Sequence, residues 1–452
     1  MFELLGRAAA EHPDRVAVLT HDGSLTYAQL LDATHRAAAV LREQQVERFA
    51  IITPDAGVVL PLLAAAALVG AEACQYPPEP AETLAELADR FDHEVAFSDR
   101  DDLGSLPLRL LTPDDLAATP LRPLEPRPAG EAPHLVLTTG TTGAPRGVRH
   151  HWSRLQHGVD RVPMSEREQR WLLAYGLHQF AGLQVVLHVL ASAVTLVAPT
   201  PRRPKEGLRA VRELGVTHAS ATPTYWRFLL AELRSDGGPT PALEQVTMGG
   251  EAIPPSVLAD VERTFVGARI SQVYAASEFG STGSMRDGRP GLSAAVLDRG
   301  DDDTVAMKVV DGELWIRSAT SMLGYYGEEP VDPDAWRPTG DLVEVDGDRL
   351  LFRGRTSEII NVGGVKVHPL PVEERVGAVD GVAVARVFGR PNPMVGAIVA
   401  LEVVAEAGAD HDTVKAAIRE ACADLPPASR PRSIQFVDDL TTVGGKIVRS
   451  HR

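Results

Sequence analysis

Residues 137–148, L-T-T-G-T-T-G-A-P-R-G-V, constrain this chain more than any other segment. Leu135, Val136, Leu137 and Thr138 have high strand preference and lead into a run of threonine and glycine, Thr139, Gly140, Thr141, Thr142 and Gly143. A strand that ends this way delivers backbone N–H groups and hydroxyls to one small volume. Glycine also lets the backbone approach a polyanion closely. The chemistry is that of a phosphate-holding loop, although neither G-x-x-x-x-G-K-[ST] nor G-x-G-x-x-G is present. A β-hairpin turn uses the same residue types. The remainder of the chain therefore has to decide between the two.

At 452 residues the chain is long enough for two or three cores. Its 44% hydrophobic and 23% charged residues are those of an ordinary soluble globular protein. A net charge of -16 argues against a nucleic-acid partner, which needs a basic surface, but leaves small anionic ligands open. The two cysteines, Cys74 and Cys422, have no metal-like spacing, which suits a reducing compartment. Residues 1–14 lack a basic stretch followed by a long apolar run, so no signal peptide is expected. The most apolar stretch, residues 58–71, contains Pro61 and falls short of the roughly 20 residues needed to span a bilayer. It reads as a core helix. A cytoplasmic protein with no membrane partner is expected.

Strand-like and helix-like patterns alternate along most of the chain, which predicts an α/β fold. Helices are expected over 27–42, 58–70 and 225–233, and strands over 49–53, 194–198 and 218–221. A proline-rich connection, 120–133, sets apart the strand 135–137. From Gly312 the segments GELWIRS and DRLLFRGR alternate with period two and read as antiparallel strands. A smaller α/β unit restarts after Arg355, with strands at 365–367, 383–388 and 434–437 and helices at 371–376 and 413–422. This places a large N-terminal domain at 1–355 and a small C-terminal domain at 356–452.

Five further segments follow the loop in order: GGEAIP (249–254), YAASE (274–278), RPTGD (337–341), GRTSEIINVGGVKVHP (354–369) and GGKIVR (444–449). Taken together with the loop, the set resembles the adenylate-forming superfamily of acyl-CoA ligases, nonribosomal-peptide adenylation domains and luciferases. The resemblance runs from residues 25–27 to Arg449. It implies a large N-terminal domain of mixed sheets packed with helices, followed by a small mobile α+β domain. It also implies a ligase that uses ATP and Mg²⁺ to convert a carboxylic acid to an acyl-adenylate with release of pyrophosphate. The acyl group then passes to the thiol of coenzyme A or of a carrier-protein phosphopantetheine. Secondary metabolism and a monomer or homodimer fit this reading. Two rivals remain open: transfer to a nitrogen nucleophile, and a non-catalytic nucleotide-binding homologue.

The resemblance assigns roles residue by residue. Thr138, Thr139, Gly140, Thr141, Thr142 and Gly143, with Arg146, would hold the ATP phosphates. Glu278 is a hard carboxylate suited to Mg²⁺, and Ser277, where threonine is usual, could donate to the α-phosphate. Gly249, Gly250 and Glu251 would lie against the adenine with Tyr274 stacked on it, while Asp341 accepts the ribose hydroxyls. Outside this context Tyr274 reads as a core aromatic and Asp341 as a turn residue. Arg355 would contact ribose or phosphate, Ser357 would act as the hinge, and Gly363, Gly364 and Lys366 would line the thiol channel. Lys446 would bridge the substrate carboxylate and the α-phosphate, a task suited to a compact ammonium. Of 45 basic residues only five are lysine (205, 308, 366, 415 and 446), leaving 40 arginines, so lysine at position 446 stands out against the chain's own usage.

Two departures matter. Arg146 stands where lysine is usual, and its wider planar fork leaves two readings open, an altered phosphate contact or a purely structural role. The run 176–183 resembles the start of the acyl pocket but offers no aspartate for an α-ammonium, which disfavours an α-amino acid. His178 and Phe180, with Gly182 and Ala275, would shape a pocket for an aryl or small acyl group. The histidines 150, 151 and 157 have no second-ligand pattern and read as polar helix residues, not a metal site.

Overall fold

The structure is a computed structural model that describes residues 1–449 except 105, 126–132, 139–144, 200–202, 301–302, 441, 444–445 and 448. It is a mixed α/β fold in two compact units. The first comprises Met1–Ser220, Ala275–Thr282 and Ser318–Ala335; the second comprises Ala221–Tyr274, Gly283–Arg317 and Trp336–Arg452.

The first unit is organised by a seven-stranded sheet in the order Gly324–Tyr325, Arg146–His151, Pro133–Thr138, Glu72–Gln75, Arg48–Ile52, Val95–Ser98 and Arg109–Leu111. From Pro133–Thr138 onward every neighbour is parallel. The central strands are accordingly buried almost throughout, as parallel sheets covered on both faces require. Helix Ala56–Val69 packs beside them with apolar residues all round. Its first turn is capped by Asp55, whose side chain accepts from the Gly57 amide, and it ends at Gly70 in the left-handed region with φ of 80°. Helix Tyr27–Glu43 begins with a capping box between Thr26 and Gln29. A second sheet in this unit joins Arg170–Leu173, Thr195–Val197 and Val16–Leu19 in parallel and closes with Ser24–Thr26 antiparallel.

Pro133–Thr138 pairs antiparallel with Arg146–His151 over their full length, from Pro133 opposite His151 to Thr138 opposite Arg146. The threonine–glycine run thus connects the two strands of a ladder. Thr139, Gly140, Thr141, Thr142 and Gly143 lie outside the described residues. The same pairing corrects the expectation for the histidines. His150 and His151 belong to a strand, not a helix, and His157 opens a short 3₁₀ turn, His157–Val159. Pairing with Pro133–Thr138 along the full strand is why the strand assignment wins.

The second unit contains the parallel pair Gln245–Gly249 and Arg269–Ala276, with helices Pro223–Asp236 and Pro255–Thr264. An antiparallel sheet follows in the order Leu292–Ser293, Arg349–Arg355, Arg337–Asp346, Glu313–Ser318 and Val305–Val310. Glu313–Ser318 alternates half-buried and buried residues, as its period-two sequence requires. Beyond it, Ile360–Val362, Val365–Val367, Val382–Asn392, Gly396–Ala405 and Ser433–Phe436 form a sheet with helices Pro369–Gly377 and His411–Ala421 around a separate apolar core. The last regular element is a short ladder, Thr442–Val443 with Lys446–Ile447. Among the described residues no helix is long and apolar enough to cross a membrane.

His134 and His150 face each other across the Pro133–Thr138 ladder and are both fully buried. Burial pushes their pKa values down, to about 3 and about 4. The unfolded chain binds protons below pH 6.5 that these folded imidazoles refuse. Their contribution to stability is therefore complete above pH 6.5 and is lost as the pH falls toward about 4. Denaturation midpoints measured across that range should decline, and the decline should be shallower in His134→Leu.

Candidate active site

In the first unit Arg146 and Glu278 share one chain of contacts. Arg146 does not project alone: its guanidinium lies 3.3 Å from the centroid of the Tyr325 ring and pairs with Glu328 at 2.6 Å. Register explains the stacking. Tyr325 pairs with Val148 on the same strand that carries Arg146, two residues away and on the same face. The Tyr325 hydroxyl then donates to Glu278 Oε1 at 3.1 Å. Burial, with Glu278 adding to it, pushes the Tyr325 hydroxyl up to about 12, so it stays a donor at neutral pH. The Glu278 backbone is fixed as well, its carbonyl accepting from the Met322 amide at 3.0 Å.

Ser277 is held through its carbonyl, which accepts from His150 Nε2 at 2.7 Å. His150 in turn lies against Phe180, with ring centroids 5.9 Å apart. Phe180 opens helix Phe180–Ser192 and is buried within the main apolar core, against which Ala275 also packs. His178 folds back over Gly176, where any Cβ would overlap its ring. Gly182 meets the Gly176 carbonyl so closely that a side chain there would collide with backbone. The amide of Gly176 donates to Gln179 Oε1 at 2.7 Å, which completes a tight turn at the head of the helix. His150 thus links the Ser277 carbonyl to Phe180, while His178 packs on its own turn at Gly176.

In the second unit Tyr274, Asp341 and Arg355 converge. The Tyr274 hydroxyl donates to Asp341 Oδ2 at 2.6 Å, and Arg355 Nε donates to Asp341 Oδ1 at 2.9 Å. Strand register supplies this meeting, because Asp341 and Arg355 are direct partners in the antiparallel ladder. Tyr274 also stacks on Phe352, with centroids 4.8 Å apart. Burial, then the Asp341 carboxylate, holds the Tyr274 hydroxyl well above its usual range. Ser357 sits in the 3₁₀ turn Thr356–Glu358 immediately after Arg355. Gly363 and Gly364 have φ of 59° and 88° and form the turn before the exposed Lys366. The Gly364 amide there donates to Asn361 Oδ1 at 2.9 Å.

Lys446 belongs to the same unit and passes over Gly250. A Cβ at Gly250 would lie 3.2 Å from Lys446 Cε and 3.6 Å from its Nζ, and Gly250 itself has φ of 85°. Gly249 is equally crowded, since a Cβ would come within 2.9 Å of the Val273 carbonyl oxygen. Glu251 reaches both ways: Oε2 accepts from the Thr224 amide at 3.1 Å and Oε1 from the Ile447 amide at 3.3 Å. Three residues after Lys446, the partly buried Arg449 forks onto Glu373, with Nε–Oε1 at 2.9 Å and Nη2–Oε2 at 2.8 Å, and meets Glu358 at 3.4 Å. Burial works against the charge on Arg449, but Glu373, Glu358 and Glu251 outweigh it and raise its pKa. Arg227, buried close by, faces Glu373 and Glu251.

Family models match this chain over nearly its whole length. The AMP-binding enzyme model matches residues 5–326 and the AMP-binding enzyme C-terminal domain model residues 371–444. The chain belongs to the AMP-binding enzyme family. A fatty acid–[acyl-carrier-protein] ligase of Mycobacterium marinum is 27% identical to it, covering 100% of this chain and 96% of the relative. A 4-chlorobenzoate–CoA ligase of an Arthrobacter species is 28% identical over 97% of this chain and 92% of the relative. The fold is shared with an anthranilate CoA ligase in complex with anthranoyl-AMP, at a TM-score of 0.84 and 20% identity over 99% of this chain and 95% of that one. This family member is an AMP-forming ligase that uses ATP.

Tyr325, Arg449, Glu373 and Arg227 carry no expectation from the sequence, yet they hold the expected residues in place. Arg449 lies within the GGKIVR motif, and that was the one available signal. Replacing it takes both guanidinium hydrogen bonds from the buried Glu373 carboxylate and leaves it the Val387 amide and the facing Arg227. Arg449→Met is expected to cost about 3–5 kcal/mol in chemical denaturation. Adding Glu373→Leu to it should recover part of that loss.

Proposed function

We propose that the chain activates a carboxylic acid lacking an α-ammonium group, aryl or small acyl, and passes it as an acyl group to the thiol of coenzyme A or of a carrier-protein phosphopantetheine. The observation that carries this reading is the side chain of Lys446 lying against the Gly250 turn, within the unit that also contains the Tyr274–Asp341–Arg355 cluster. Adenylation brings a carboxylate anion to a polyphosphate, so the site has to offset charge on both as they meet. A lysine ammonium is a compact donor that can serve two acceptors at once, and its stem passes closely over position 250, which has no side chain. Asp341 supplies acceptor oxygens for the ribose hydroxyls, and the Tyr274–Phe352 stack offers an aromatic face for the base.

Mg²⁺ fits Glu278. Among the described residues no group of three His, Cys, Asp or Glu side chains is placed to hold a metal. A single ordered carboxylate suits an ion that takes its other ligands from phosphate oxygens and water. Bound there, the ion would neutralise phosphate charge, and Tyr325 would keep the Glu278 carboxylate oriented toward it. The acyl reading rests on residues 176–183, which offer no carboxylate to hold an α-ammonium. Related ligases named for fatty acids and for 4-chlorobenzoate act on acids without an α-ammonium.

Pyrophosphate release across benzoates, short and medium aliphatic acids and α-amino acids, each with ATP and Mg²⁺, tests this proposal. Release with members of the first groups and none with amino acids is expected. Adding coenzyme A or a phosphopantetheinylated carrier protein then identifies the acceptor. Lys446→Ala should lower pyrophosphate release by about 10²–10³-fold. A panel silent throughout, with ATP binding intact, contradicts the proposal.

A further inference from the structure

We infer that Glu251 is a positioning residue for Lys446, acting through the backbone of Ile447 and not through the nucleotide base. The inference rests on the assignment of Lys446 as the adenylating lysine.

The ladder that carries Lys446 cannot hold itself. It consists of two residues on each side, Thr442–Val443 and Lys446–Ile447, and isolated ladders of that size are not stable in water. Something outside it has to fix the lysine. Ile447 is buried beside Val384 and Leu440, with Phe228 of helix Pro223–Asp236 packed against the group. Adjacent side chains on a strand point to opposite faces, so burying Ile447 turns Lys446 the other way. Apolar packing of this kind fixes the face but only loosely fixes position along the strand.

Glu251 supplies the missing constraint. Consecutive residues of one turn meet consecutive residues of the ladder: Gly250 receives the Lys446 stem, and Glu251 accepts from the Ile447 amide. The second carboxylate oxygen is tied to the amide of Thr224, in the first turn of helix Pro223–Asp236. A carboxylate at a helix N-terminus gains from the N–H groups there and is itself oriented by them. Glu251 therefore links a rigid helix end to the residue next to Lys446, and both of its oxygens are engaged with backbone. Arg449 anchors the other side through Glu373, whose carboxylate also accepts from the Val387 amide at 2.8 Å.

A residue with this role should affect adenylation in a different way from one that reads adenine. Glu251→Ala is expected to lower turnover in acid-dependent ATP–pyrophosphate exchange by about 10–100-fold, the scale of a misplaced reacting group. Its affinity for AMP, measured by titration calorimetry, should match that of the wild type. Glu251→Gln keeps one acceptor and should fall between the two. Exchange at the wild-type rate in Glu251→Ala overturns the inference, as does a loss of AMP affinity that tracks the loss of exchange. Should Glu251→Ala fail to fold, Glu251→Gln decides the matter by the same two measurements. Lys446→Ala, run alongside, separates the two readings: wild-type exchange in that variant refutes the role of Lys446 itself.

Discussion

The bidentate pair between Arg449 and Glu373 is the interaction on which the rest of the second unit's site depends. Two charges buried together are stable only when their remaining hydrogen-bonding capacity is met. Here Arg449 also reaches Glu358, and Glu373 also accepts from the Val387 amide. The pair ties the segment just beyond Lys446 to helix Pro369–Gly377, the helix from which Glu373 projects. With Arg227 and Glu251 nearby, cations and carboxylates alternate, so each ion is balanced by more than one neighbour. Such a network resists small shifts in position more than an apolar contact does, because the geometry of each hydrogen bond is directional.

The same economy appears at Asp341 and at Glu278. In neither place does a catalytic-type carboxylate stand by itself. Asp341 is bracketed by Tyr274 and Arg355, and Glu278 receives the hydroxyl of Tyr325, which in turn supports Arg146. Arg146 illustrates the difference between the two cations in this chain. A planar guanidinium stacks on an aromatic ring while donating to Glu328 through Nη2, whereas Lys446 offers a slim stem that passes over a glycine. In an arginine-rich chain, lysine stands where a slim stem crosses Gly250.

Much of the architecture was legible in the sequence because it depends on local pattern. The apolar stretch around 58–71 is a buried helix, and GELWIRS alternates as a strand should. Motif order pointed to the family, which the match over residues 5–326 establishes. The histidines at 150 and 151 were misread because two polar residues in succession carry no period. Their strand becomes visible only through its partner, Pro133–Thr138. The contacts of Arg146, Glu251 and Tyr325 were illegible for a related reason. Each joins residues far apart in sequence, and neither propensity nor spacing encodes which acid an arginine meets or which amide a carboxylate accepts from.

Two carboxylates hold the Lys446 strand in place, Glu373 through Arg449 and Glu251 through the Ile447 amide. Native-state hydrogen exchange of the Ile447 amide tests it most directly. Slow exchange is expected at Ile447 in the intact protein and markedly faster exchange in Glu373→Gln, while amides in the core of helix Ala56–Val69 keep their protection. An Ile447 amide unprotected in the intact protein, or exchanging at the same rate in both, would contradict it.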